Sequence, residues 1–242
     1  MCSDRRVQVL RFLWTYSVTF FYILLLKKNL KEDPRENVSI GMKISEKALK
    51  SAGYKILILG RENLPTEDGV LYVSNHQSFF DIFASLFFIQ KQLGFVAKKQ
   101  LENFFSVGYY VRKMGGVLID RDDVRSQVDV IVKLTKNIKE GLNVFIFPEG
   151  TRTKTGQLAE FKSGSFKIAI KTNCTVVPIT FYDNHIVSTN RGDGIIKVKI
   201  DKPIRGDEYK GMTTSELSQK VETQIQENLN KGFDFNSAVE LV

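Results

Sequence analysis

The sequence predicts an α/β fold: a mixed, largely parallel central sheet flanked by helices and preceded by an N-terminal two-helix segment. Three observations predict it. Short runs rich in β-branched and aromatic residues recur from residue 55 onward: KILILG (55–60), GVLYVS (69–74), GFVAK (94–98), GVLID (116–120), NVFIF (143–147), TVVPITF (175–181) and IIKVKI (195–200). Helical patterns lie between several of them, around Asp81 to Ile89, from Asp122 to Glu140 and from Gly164 to Lys171. Strands alternating with helices build parallel sheets. Finally, 242 residues with 43% hydrophobic and 26% charged content suit a single sizeable packed body.

The elements follow in chain order. Phe12 to Leu26 is an apolar stretch, preceded by Arg5, Arg6 and Arg11 and closed by Lys27, Lys28 and Lys31. KKNLKEDP follows where a signal peptide needs small residues for cleavage, so that reading is set aside. The stretch is somewhat short for a membrane span, which takes about 20 apolar residues. A helix sunk into one leaflet, with cations at both ends, fits better. After Pro34, apolar Val38, Ile40, Met42, Ile44, Ala48 and Leu49 mix with Lys43, Lys47 and Lys50, reading as an amphipathic helix that ends at Gly53. Residues 1–53 are therefore expected to form a membrane-associating helical hairpin, with a buried core helix as the alternative, and residues 54–242 the α/β domain. At the far end TTSEL opens a final helix from Thr213 to about Lys231, with Glu216 placed for a capping box.

A formal charge of +8 calls for an anionic partner. Nucleic acid is not expected, because no recognition element accompanies the charge. Cys2 and Cys174 are too few and too ill-placed for a disulfide framework, and Cys174 reads as a small buried residue. The chain holds only two histidines, His76 and His185, and no cluster with metal-ligand spacing. No metal and no resident cofactor are expected.

Four segments carry chemistry. Asn75-His76-Gln77-Ser78-Phe79-Phe80-Asp81 follows the strand LYVS. With Ser78 as helix N-cap, Asp81 sits in the first turn, able to orient the imidazole of His76 as a base. A histidine that merely caps the helix is the alternative. No G-x-S-x-G nucleophile elbow occurs, so a base here would activate a group on the substrate. Phe147-Pro148-Glu149-Gly150-Thr151-Arg152 closes the strand NVFIF with a tight turn. There Gly150 permits close backbone approach and Arg152 offers a fork for phosphate. Glu149 is placed to hold Arg152 or a backbone amide, and a plain surface turn is the alternative. Gly115 to Arg121 puts a second guanidinium at a strand end, where a simple Asp–Arg salt bridge is the competing reading. Val176-Val177-Pro178-Ile179 is apolar, and its proline suggests an edge strand or a bulge.

In this order the segments resemble the 1-acylglycerol-3-phosphate acyltransferases of the glycerolipid acyltransferase family: N-H-x-x-x-x-D at 75–81, G-x-x-x-x-D-R at 115–121, F-P-E-G-T-R at 147–152 and V-P-I at 177–179. The match runs from about Tyr54 to Phe181, and the N-terminal helices resemble the family's membrane-docking pair. The resemblance implies His76 as general base and Asp81 as its partner. It further implies that Arg121, Glu149, Gly150, Arg152 and Lys98 or Lys99 help to bind the acceptor's phosphate. Val177 and Pro178 would shape the acyl region. The family usually has Glu where Gln100 stands and proline where Phe105 stands, which leaves the shape of residues 100–110 open. The expected activity is acyl transfer from acyl-CoA or acyl carrier protein to lysophosphatidic acid at an anionic phospholipid membrane, on the cytoplasmic face. Glycerol 3-phosphate or another lysolipid as acceptor, and a non-catalytic membrane-surface protein, are the rivals.

Overall fold

The computed structural model describes residues 5–104, 106–187 and 194–241. Cys2 and Phe105 lie outside them, as do the side chains of Arg5, Arg6 and Arg11.

Two helices open the chain, α1 (Arg5–Leu26) and α2 (Val38–Ala52). Between them Pro34 starts a short 3-10 turn that Asp33 caps by accepting from the N–H of Arg35 at 3.0 Å. Proline suits that first position because its missing N–H would have no partner there. Ile40, Ile44, Ala48 and Leu49 fall on one side of α2 and are buried. Gly53 ends the helix in the left-handed region at φ 65°, its N–H reaching back to the carbonyls of Leu49 and Lys50. No helix among the described residues is long and apolar enough to cross a membrane.

The body is a sheet of eight strands, β1 (Lys55–Leu59), β2 (Leu71–Ser74), β3 (Gly94–Lys98), β4 (Val117–Ile119), β5 (Val144–Ile146), β6 (Val176–Tyr182), β7 (Ile195–Ile200) and β8 (Val239–Glu240). Their order across the sheet is β4-β3-β5-β2-β6-β7-β1-β8. The first five are mutually parallel, so their carboxyl ends share one edge. β7 runs antiparallel to β6, β1 parallel to β7, and β8 antiparallel to β1. The seven strands read from sequence are all present; β8 has no signal beyond two residues.

Helices cover both faces. On one side α2 and α3 (Phe80–Ile89) bury Ile44, Leu49, Phe83 and Phe88 with Ile56, Tyr72 and Val198 from the sheet. On the other, α5 (Val124–Lys139), α6 (Lys167–Thr172) and α8 (Thr214–Lys231) bury Leu134, Ile168, Leu217 and Val221 with Val73 and Ile146. Strands covered on both faces carry continuous apolar runs, and β2, β5 and β6 are buried throughout. α2 shares the first of these cores, so the change of texture at Gly53 is no break in packing.

Three details differ from the sequence reading. α4 (Val107–Lys113) follows a 3-10 turn at Lys99–Leu101, a helix in the stretch whose shape was open. α3 starts at Phe80, and Ser78 accepts from the N–H of Phe80 at 3.2 Å without being its N-cap. Pro178 does not lie on an edge: β6 is an interior strand, between β2 and β7. Its carbonyl faces β7 and accepts from the N–H of Asp201 at 3.0 Å. The missing N–H points the same way, to a place where the register slips by one residue between the Ile179–Ile200 and Val176–Ile204 pairings. The proline thus occupies a bulge, where no ladder bond is lost.

Candidate active site

β2, β4 and β5 deliver the three polar segments, and β3 delivers Lys98, to one edge of the sheet. His76 stands in the loop leaving β2. Its ring lies flat against Phe147, which leaves β5 next door, with centroids 4.0 Å apart and planes 19° apart. Its backbone is held from both sides: its N–H donates to Glu149 Oε1 at 2.5 Å, and its carbonyl accepts from the N–H of Thr153 at 2.9 Å. The imidazole therefore has little freedom.

Asp81, fully buried in the first turn of α3, fixes the rest. Its Oδ2 lies 2.8 Å from His76 Nδ1 and also accepts from the N–H groups of Gln77 and Ser78, both at 2.8 Å. An oxygen facing two backbone N–H groups can only accept, so Nδ1 is the protonated ring nitrogen. Nε2 then carries a lone pair, and no described residue bonds to it. The helix N-terminus adds its positive dipole end beneath the carboxylate. The side chain of His76 remains 15% exposed, enough for a substrate to touch. This geometry orients the imidazole through Asp81, and the capping alternative falls away: Asp81 does the local capping.

Glu149 sits below the turn it opens. Both carboxylate oxygens are taken by backbone, Oε1 by His76 and Oε2 by the N–H of Ala159 at 3.0 Å. It is buried and makes no ion pair with Arg152 among the described residues, so of the two readings the one that holds is a brace on backbone amides. Burial pushes its carboxyl up to about 7, against the pull of those two N–H groups, with Asp81 adding to the rise. Gly150 needs its left-handed φ of 70°, and a Cβ there would come within 3.2 Å of Lys162 Nζ. The space above Gly150 is thus filled by a lysine stem.

The cations are arranged differently. Arg152 is exposed beyond the turn, and Lys98 is exposed at the end of β3. Arg121 is half-buried past β4, and desolvation lowers its pKa. No hydrogen bond or ion pair occupies the side chains of Arg121, Arg152 or Lys98 among the described residues, so the plain Asp–Arg salt bridge is absent. Asp120 instead pairs with Lys99 at 3.4 Å. Val177 and Pro178 lie lower in the sheet and do not join this cluster. Val177 belongs to the core under α2 and α3, while Pro178 lines a groove beside α8. Cys174 is mostly buried, and burial pushes its thiol up, away from a nucleophile's range. Among the described residues, no cluster of His, Cys, Asp or Glu could hold a metal ion.

Sequence reasoning missed Phe147 as a ring partner, Lys162 above the turn, and Gln77 and Asn184. Asn184 opens a four-residue helical turn after β6, α7 (Asn184–Val187), and its side-chain N–H₂ donates to Asp81 Oδ1. Its distance in sequence from Asp81 hid it; only the pairing of β2 with β6 brings the two together.

This edge of the parallel sheet gathers a histidine held by a buried aspartate and three cations without partners among the described residues. The family model described as Acyltransferase matches residues 55–182, more than half of the chain, and the chain belongs to this acyltransferase family. A 1-acyl-sn-glycerol-3-phosphate acyltransferase of Arabidopsis thaliana, chloroplastic LPAT1, is 43% identical over 159 residues, covering 63% of this chain and 44% of that protein. One from Borreliella burgdorferi is 34% identical over 134 residues, covering 55% and 54%. The chain spans about half the length of the curated relatives it matches. The crystal structure of the 1-acyl-sn-glycerophosphate acyltransferase PlsC from Thermotoga maritima superposes with a TM-score of 0.77 at 26% identity, covering 94% of this chain and 97% of that one.

Proposed function

We propose that this chain transfers a fatty acyl group from an acyl thioester to the sn-2 hydroxyl of 1-acylglycerol 3-phosphate, giving phosphatidic acid, with His76 as general base. The observation that carries the reading is the His76 imidazole held through Nδ1 by Asp81 at 2.8 Å, with no partner on Nε2 among the described residues. Nε2 takes the hydroxyl proton as the oxygen attacks the thioester carbonyl. The C–S bond then breaks, the thiolate leaves, and the proton on the imidazolium returns to sulfur. No acyl-enzyme forms and no resident cofactor is needed; acyl-CoA or acyl carrier protein is the co-substrate. The acceptor is chosen on the names carried by relatives covering more than half of this chain. Arg121 and Arg152, with Lys98 at the rim, are the phosphate contacts, and Glu149 and Gly150 shape the turn that presents Arg152.

The chain works at an anionic membrane surface in this reading, on the cytoplasmic face. Trp14, Phe21, Leu24 and Leu25 on α1 are exposed, and Lys27, Lys28 and Lys31 follow them. Aromatic and aliphatic side chains beside lysines suit the bilayer interface.

The test is a transfer assay with lysophosphatidic acid in detergent micelles, reading phosphatidic acid by mass spectrometry. Long-chain acyl-CoA and acyl carrier protein are supplied as parallel donors, and glycerol 3-phosphate and other lysolipids as parallel acceptors. Product is expected from wild type, with His76→Ala slower by about two to four orders of magnitude. Equal turnover in His76→Ala would remove the base from this account.

A further inference from the structure

We propose that Asn184 is a positioning residue for His76, acting through Asp81; this deepens the acyl-transfer reading and rests on it. Asp81 divides its oxygens: Oδ2 serves His76 and the backbone, while Oδ1 receives the side-chain N–H₂ of Asn184. The terminal torsion of an aspartate is broad and two-fold, so bonds at one oxygen alone leave the carboxylate free to swing. A donor on the second oxygen removes that freedom, and with it the freedom of the imidazole.

Three further facts support the assignment. Asn184 is fully buried, and the side facing a carboxylate oxygen must be its N–H₂, so its orientation is determined. Its own Oδ1 is buried with no donor among the described residues. A fold choosing only for stability has no reason to keep such an orphaned carbonyl, whereas a fold that needs the N–H₂ on Asp81 does. Its backbone N–H donates to Gln77 Oε1 at 2.8 Å, and the N–H of Gln77 donates in turn to Asp81 Oδ2. Asn184, Gln77 and Asp81 thereby close a ring of bonds beside the base. The ring draws on the loop after β2, on α3 and on the turn after β6. The ionisable groups around it are His76, Asp81, Asp183 and His185 on either side of Asn184, and, from the β5 turn, Glu149, which feels the charge of Asp81.

The test joins kinetics to ¹⁵N spectra of the two imidazoles, with His76→Ala identifying the signals of His76. Wild type is expected in the Nδ1–H form. Asn184→Ala should show a mixture of tautomers and a kcat lower by about tenfold to a hundredfold, the usual weight of an outer partner to a functional histidine. Its KM should stay within about twofold, since no substrate contact is removed. In Asn184→Asp the introduced carboxyl donates only while protonated, so its rate should fall with rising pH, opposite to wild type. That variant, close in size to asparagine, carries the test should Asn184→Ala fail to fold. An unchanged Nδ1–H signature in both variants overturns the proposal, even with lowered activity, because the loss is then structural. If wild type acylates no lysolipid, the acyl-transfer reading falls, while the tautomer still decides whether Asn184 orients His76.

Discussion

Two stretches of one sheet edge are built on opposite plans. Around Asp81, four donors converge on a buried carboxylate, and every link from β2, α3 and β6 is closed within the fold. A short way along, Arg121, Arg152 and Lys98 stand at the ends of β4, β5 and β3 without partners among the described residues. The setting of the His76 ring is finished before any ligand arrives; the cationic rim is not. Preorganised bonds cost nothing at the moment of reaction. Unpaired guanidinium groups, one of them half-buried, leave a place that an anion completes.

That contrast can be broken from either end. The largest effect is expected from Asp81→Ala, which strips the acceptor from two backbone N–H groups and from Asn184. Each buried donor left unmatched costs about 1–3 kcal/mol, so the urea midpoint should fall markedly. Turnover should fall about as far as on loss of the base itself, two to four orders of magnitude. His76→Ala, by contrast, should keep its midpoint close to wild type.

The rim should respond in the other sense. Arg121→Ala and Arg152→Ala each remove a charged contact worth about 1.5–3 kcal/mol when an anion is bound, or roughly tenfold to a hundredfold in kcat/KM for a phosphorylated acceptor. Arg152, the more exposed, should lie at the lower end. Neither change should move the thermal midpoint, because neither side chain bonds to any of the described residues. A drop in stability on losing either would show that the rim is as closed as the base.

The smallest expected effect concerns the brace. Burial raises the carboxyl of Glu149 from its ordinary 4.5 to about 7. Between those values the folded protein holds a proton that the unfolded chain has released. Glu149 therefore lowers stability as pH climbs through that window, and adds no slope above or below it. Urea midpoints of wild type should decline across the window, and Glu149→Gln should flatten that decline. A slope unchanged in the variant would place the responsible group elsewhere.

Much of this was legible in the sequence because local rules and global fold agree. The seven main strands announce themselves by β-branched runs, and Thr213 with Glu216 forms the capping box its spacing implies. His76 and Asp81 were legible for the same reason: five residues of loop and first helical turn fix their meeting. What stayed hidden depends on strand order. Asn184 and Phe147 reach the His76–Asp81 pair only because β6 and β5 flank β2. Glu149 was read as holding Arg152 or a backbone amide, and it holds amides, but those of His76 and Ala159, which no spacing gives. Pro178 was read as marking an edge strand or a bulge, and only the neighbouring strand, with its one-residue slip in register, decides for the bulge.

The packing of α2 bears on how the molecule is put together as a machine. α2 touches α1 on one side and α3 on the other, and α3 is the rod whose first turn carries Asp81. The opening hairpin is thus a bearing wall of the reaction chamber and not a detachable handle. Ile44, Ala48 and Leu49 are bricks in the same masonry as Phe83 and Phe88. Whatever surface α1 rests on stands one helix away from the carboxylate that orients the His76 ring.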